Sequence, residues 1–214
     1  MKSMNNPMNI KLSDTLSDDN FHKIIDKWSN LTFYDNNLNR YSLNLSPDKL
    51  QDMYHFTILA EQLLRDHQKE HSHTMVAFHI QKPALHSRIY DINSGEGLAK
   101  HTEAALKSHI KNPNLSCGIN EDTFIFLLED YKTVDTALLV INLTEEISRY
   151  YPDLKLRLTF GSCRADPYEY EIPCLCRRAF YAMSTISGDD QQLMADYNDI
   201  ILEKKLYETD ISLF

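Results

Sequence analysis

The run Cys117-Gly118-Ile119-Asn120-Glu121-Asp122-Thr123-Phe124-Ile125-Phe126-Leu127-Leu128 constrains the fold of this chain more than any other segment. It begins as a turn bearing acids and continues as an apolar stretch with the make-up of a strand that can be buried. Leu115 to Gly118 and Thr123 to Leu128 therefore read as two strands around a turn from Ile119 to Asp122.

The segments on either side supply the partners of that hairpin. Thr74 to Ile80 reads as a buried strand that Pro83 prevents from continuing. Gly95 to Ile110 reads as a helix with Leu98, Ala105, Leu106 and Ile110 inward, ended by Asn112-Pro113-Asn114. After the hairpin come a helix over Val134 to Tyr150, a strand over Lys155 to Cys163 and a helix over Pro173 to Thr185. Leu193 to Leu206 fits a closing strand or a helix. The order strand, helix, strand, strand, helix, strand is the ferredoxin-like split arrangement, an α/β (α+β) class with helices packed on one face of an antiparallel sheet.

Upstream, Asp18 or Asp19 caps a short helix through Trp28, with Phe21, Ile24, Ile25 and Trp28 on one stripe. Residues 1 to about 17 are polar and read as loosely ordered. Residues 29 to 46 are turn-rich, with Asp35-Asn36-Asn37 as the clearest breaker. Ser46-Pro47-Asp48 opens a second helix running to about Lys69, with Ser46 as cap and Pro47 in the first turn.

A chain of 214 residues, 43% hydrophobic and 25% charged, suits one soluble domain with short extensions. The net charge of −9 excludes the basic face that nucleic-acid binding needs. No apolar run approaches the roughly 20 residues of a membrane span, and Met1 to Asn6 lacks the apolar centre of a signal peptide, so a cytoplasmic location is expected. Cys117, Cys163, Cys174 and Cys176 have neither disulfide-framework nor zinc-ribbon spacing and read as reduced packing groups.

Several landmarks, in order, resemble the GGDEF domain, the catalytic unit of diguanylate cyclases, and together they span residues 28 to 190. Leu31-Thr32 with Leu38-Asn39-Arg40 is similar to the family's opening D-x-L-T-G-L-x-N-R, with Ser29 in place of the Asp. Gly95-Glu96 resembles its G-D, and Asn120, Glu121, Asp122, Thr123 and Phe124 stand in the signature hairpin. Leu158-Thr159-Phe160-Gly161 resembles the strand v-T-x-S-i-G, and Ala179 to Met183 resembles A-L-Y-x-A. The resemblance implies a palm-type sheet over residues 28–190, with an extension at 1–27 carrying a short helix and an extension or closing element at 191–214.

The departures fall on the chemistry that the resemblance implies. The metal-binding Asp at the end of the first strand is His79, and a second Asp two residues on is Gln81. Mg²⁺ takes hard oxygen ligands, which an imidazole and an amide do not replace. Two glycines whose missing Cβ lets a triphosphate approach the backbone are Asn120 and Glu121. Asp122 keeps the acidic position, while its neighbour is Thr123 rather than Glu. The guanine-reading Asn falls near Ser87, followed by Arg88, while the basic residue after A-L-Y-x-A falls on Ser184. The inhibitory R-x-x-D reads Lys111 to Asn114, and Lys lacks the planar fork of Arg.

Other signals have plain readings. His67, His71 and His73 with Glu70 gather at a helix end, where solvation accounts for them as readily as a metal pair, and no metal or cofactor is expected. Tyr150-Tyr151 and Tyr168 with Tyr170 suit interface anchors or half-buried packing, and Glu145-Glu146 suits a solvated helix face. The stripe through Trp28 resembles the short signalling helix ahead of many GGDEF domains, and packing back on the domain explains it equally.

The expectation is a catalytically inactive GGDEF-like domain, with no catalytic residue, acting as a protein-interaction and regulatory module in bacterial cyclic-di-GMP-related signalling. Its partner would be another signalling enzyme or a secretion or biofilm component, with oligomeric state left open. The alternative is a nucleotide sensor for GTP or cyclic-di-GMP without turnover, using Glu96, Asp122 and His79. A third reading is a residual nucleotidyl cyclase working through His79 and Asp122 with a softer metal.

Overall fold

The computed structural model describes residues 18–29, 33–34, 40–41, 46–67, 71–81, 95–130, 133–152, 156–166, 168, 170–186 and 193–211. The expectations for residues 1–17, the landmark residues Leu31, Thr32, Leu38 and Asn39, Glu70 and Pro83 lie outside them.

Helix α1 covers Asp18–Ser29, and a two-residue hairpin of β1 (Phe33–Tyr34) and β2 (Arg40–Tyr41) separates it from α2 (Pro47–His67). Ser46 is the N-cap of α2: its carbonyl accepts from Leu50 N at 2.9 Å and its hydroxyl from Lys49 N at 3.4 Å. Then follow β3 (His73–Gln81), α3 (Gly95–His109), β4 (Ser116–Gly118), β5 (Thr123–Glu129), α4 (Thr133–Tyr150), β6 (Arg157–Arg164) and α5 (Ile172–Ser184). The ambiguous tail resolves into both alternatives, strand β7 (Met194–Asp196) running straight into helix α6 (Tyr197–Ile211).

The sheet order is β4-β5-β3-β6-β7. Its first four strands pair antiparallel, as the split ferredoxin-like arrangement requires. Strand β7 differs: it pairs parallel with β6 through Phe160↔Met194, Gly161↔Ala195 and Ser162↔Asp196. The C-terminal segment is thus a closing element of the same sheet.

Helices cover both faces, which corrects the expected single layer. Alternation along the strands sends Met75, Ala77, Ile125, Leu127 and Cys163 toward Met53, Phe56 and Leu64 of α2 and Leu175, Ala179 and Phe180 of α5. Val76, Phe78, Ile80, Phe124, Phe126 and Phe160 face Leu98 and Leu106 of α3 and Leu139, Leu143 and Ile147 of α4. Phe78 stacks between Phe124 and Phe160, with centroids 5.1 and 5.0 Å away, so aromatic contacts tie the three central strands.

Close approach of α5 depends on Gly161. A Cβ there would lie 2.0 Å from the Ala179 carbonyl oxygen and 2.4 Å from Met183 N. Helix α1 packs back on the domain: Trp28 is 1% exposed and donates its indole N–H to Thr57 Oγ1 at 3.0 Å, while Phe21 meets Tyr54 edge to face. The four cysteines are free thiols, all buried except the half-buried Cys174.

Candidate functional site

Pairing of β3 with β5 sets His79 opposite Thr123, so the end of β3 meets the turn of the β4–β5 hairpin. Ile80 N donates to the Asp122 carbonyl at 2.8 Å, fixing the turn against the strand. His79 Nδ1 lies 3.2 Å from Thr123 Oγ1 and 3.6 Å from Asp122 Oδ1. The Thr123 hydroxyl in turn donates to Asp122 Oδ1 at 3.1 Å.

That short chain fixes where protons sit. A threonine hydroxyl has one proton, and a carboxylate can only accept. With the Thr123 proton on Asp122, Thr123 Oγ1 is left to accept from His79 Nδ1. The neutral ring therefore carries its proton on Nδ1, as when a histidine is oriented by a hydrogen-bonded partner. His79 and Asp122 are both partly exposed, whereas Thr123 is buried at 7% exposure.

The turn itself is closed by its own groups. Asn120 Oδ1 accepts from Asp122 N at 3.0 Å, an Asx turn. Ile119 N and Asn120 N both donate to the Thr123 carbonyl, at 2.8 and 3.3 Å. A phosphate cradle works by aiming backbone N–H groups at the anion. Here the N–H groups of Ile119, Asn120 and Asp122 already have acceptors within the hairpin, and the Asn120 and Glu121 side chains are exposed beside them.

The donor set does not fit Mg²⁺. Asp122 spends Oδ1 on the Thr123 hydroxyl, the groups against it are an imidazole and a hydroxyl, and the neighbouring Glu121 side chain is exposed. Gln81, at the exposed end of β3, adds only an amide. Among the described residues no group of three or more His, Cys, Asp or Glu is placed to hold a metal ion.

Glu96 falls in the first turn of α3 with its side chain outside the described residues, as do Ser87 and Arg88 entirely and the side chain of His67. Ser184 is buried at the end of α5 and its hydroxyl donates back to the Tyr181 carbonyl at 2.7 Å. Asn112 caps the turn over Pro113–Leu115, accepting from Asn114 N at 3.2 Å. His71 reaches Asp130 through Nδ1, and His73 is buried in β3. Glu146 is not the solvated side chain expected: it is half-buried and pairs with His109, joining α4 to α3. Reading the sequence missed the Asn120 and Thr123 contacts because both residues registered only as replacements.

A cavity of about 310 Å³ opens between α2, α3 and β4, with Asp52, His55, Glu103, Lys107 and Cys117 in its lining. Burial, reinforced by Asp52, pushes the Cys117 thiol up to about 12, so it is a packing group rather than a nucleophile.

The chain matches no established family profile. It matches no curated protein. Solved structures do match: the GGDEF domain of DgcB from Caulobacter crescentus, solved in complex with c-di-GMP, overlays with a TM-score of 0.53 at 10% identity, covering 67% of this chain and 88% of that one. The fold is that of a GGDEF domain. An EAL/GGDEF domain protein from M. capsulatus (TM-score 0.49, 14% identity, 64% and 92% coverage) and a DGC protein from Thermotoga maritima (0.40, 12%, 59% and 86%) are more distant in shape. In this fold the Asn120 to Asp122 turn joins β4 to β5, and His79 pairs across from Thr123 at its end. No described helix is long and apolar enough to cross a membrane.

Proposed function

We propose that this chain is a catalytically inactive GGDEF-fold domain that works by contacting a protein partner in bacterial cyclic-di-GMP-related signalling in the cytoplasm. The observation that carries this reading is the self-satisfied hairpin, whose N–H groups at Ile119, Asn120 and Asp122 bond within the turn. Nucleotidyl transfer needs cations and preorganised donors at the phosphates, because charge stabilisation supplies most of the rate. A tied Asp122 and a hairpin closed on itself supply neither. A GGDEF-like framework without that chemistry still offers surfaces for recognising a protein.

A nucleotide sensor is the second reading, favoured by the convergence of His79 and Asp122 at an exposed strand end; the resemblance adds Glu96 as a candidate nucleotide ligand. Calorimetry with GTP, other nucleotides and cyclic-di-GMP separates the two. The partner-binding reading expects no heat of binding at millimolar ligand. Saturable binding lost in Asp122→Ala would replace it with the sensor.

A further inference from the structure

Helix α4 carries three of the five large apolar side chains left exposed among the described residues, Leu138 at 57%, Ile141 at 47% and Tyr150 at 48%. Tyr150 is stacked on His101 with centroids 4.3 Å apart, which accounts for it within the chain. Leu138 and Ile141 are different. The inward face of α4 is already filled by Leu139, Val140, Leu143 and Ile147, so the fold has no need of them. Exposed Ala137 adjoins them and leaves room for close approach.

The charges on this face are arranged about a centre. Helical spacing places Asp135, Leu138, Asn142, Glu145 and Arg149 in one stripe with Ile141 at its margin. Asp135 and Arg149 each stand seven residues from Asn142, on opposite sides. A two-fold axis across the helix at Asn142 therefore sets Asp135 of each copy against Arg149 of the other. It also brings Ile141 against Ile141 and lays Leu138 along the stem of Glu145. A parallel arrangement would oppose Asp135 to Asp135.

We propose that α4 is the contact face of a symmetric antiparallel dimer of this chain. Acids near a helix N-terminus and bases near its C-terminus are favoured on any single helix, and antiparallel pairing turns that same placement into complementarity between copies. The Glu145–Arg149 pair within the helix, 3.6 Å apart with both side chains largely exposed, is weak enough to yield to the new partner. A helix of 18 residues is about 27 Å long, so the interface is small and the dimer forms only at raised concentration.

Sedimentation of the purified full chain over a wide concentration range tests this. Ile141→Glu and Leu138→Glu should abolish association while circular dichroism stays unchanged. Asp135→Arg and Arg149→Asp should each weaken it by about tenfold or more, and the double variant should restore it. Ile141→Cys, at the two-fold axis, should give a disulfide-linked dimer under mild oxidation. A chain monomeric at every concentration overturns the proposal. So does a dimer indifferent to Ile141→Glu, or a charge-swapped double variant that associates no better than its single parents.

Discussion

His79 Nδ1 and the Thr123 hydroxyl stand 3.2 Å apart across the β3–β5 pair, and the threonine's own proton is given to Asp122. The contact makes the imidazole a donor at Nδ1. Nitrogen NMR of the His79 ring at a pH where it is neutral should show mainly the Nδ1–H tautomer. Thr123→Val removes the acceptor, and the Nδ1–H population should fall. A ring protonated chiefly on Nε2 in the unsubstituted protein would contradict the arrangement.

Gly161 is the point at which α5 touches the sheet. Because an added Cβ would meet backbone atoms at 2.0 and 2.4 Å, relief requires moving the helix rather than a side chain. Gly161→Ala should cost about 3 kcal/mol, at the upper end of overpacking penalties. Urea unfolding should show a lower midpoint with an unchanged slope. A loss below about 0.5 kcal/mol, the scale of an ordinary surface change, would mean α5 sits farther out.

Trp28 is the one tryptophan in the chain, so its fluorescence reports on α1 directly. Burial and the indole bond to Thr57 make α1 part of the core. The emission should be blue-shifted and its urea transition should coincide with that seen by circular dichroism. Trp28→Ala should destabilise by about 3–5 kcal/mol. A fluorescence transition that precedes global unfolding would instead fit a helix that detaches from the domain.

The side-chain hydrogen bond from His71 holds the Asp130 carboxyl below its ordinary value, with help from the Ser72 backbone N–H. A carboxyl lowered by folding contributes stability that is complete above the unfolded value, about 3.9, and is lost as pH falls through the folded value. The stability gap between the natural protein and Asp130→Asn should close as the pH falls below about 4. Asn suits this test because Asp130 has φ 59°, a conformation Asn tolerates. A gap that stays open well below about pH 3 would refute the pairing.

The strands of the core were readable because Met75 to Ile80 and Phe124 to Leu128 are near-continuous apolar runs. The same runs held a further message: a strand apolar on both parities is buried on both faces. That is why α2 and α5 cover the face opposite α3 and α4. Strand β7, with three residues, is too short for any periodicity to announce, and its parallel pairing follows from the position of β6 rather than from its own composition. At the site, the resemblance singled out His79 and the hairpin residues. The contacts binding them arise from a register joining positions 44 residues apart, which no local pattern encodes. The His71–Asp130 pair, 59 residues apart, was hidden for the same reason.

The central claim is that the hairpin and strand end no longer support nucleotidyl transfer. Its most direct test is to incubate the purified protein with GTP, with Mg²⁺ and separately with Mn²⁺, and follow cyclic-di-GMP by chromatography. The account predicts no product above a protein-free control, and no difference between the natural protein and Asp122→Ala. Sustained conversion of GTP to cyclic-di-GMP that disappears in Asp122→Ala would contradict it.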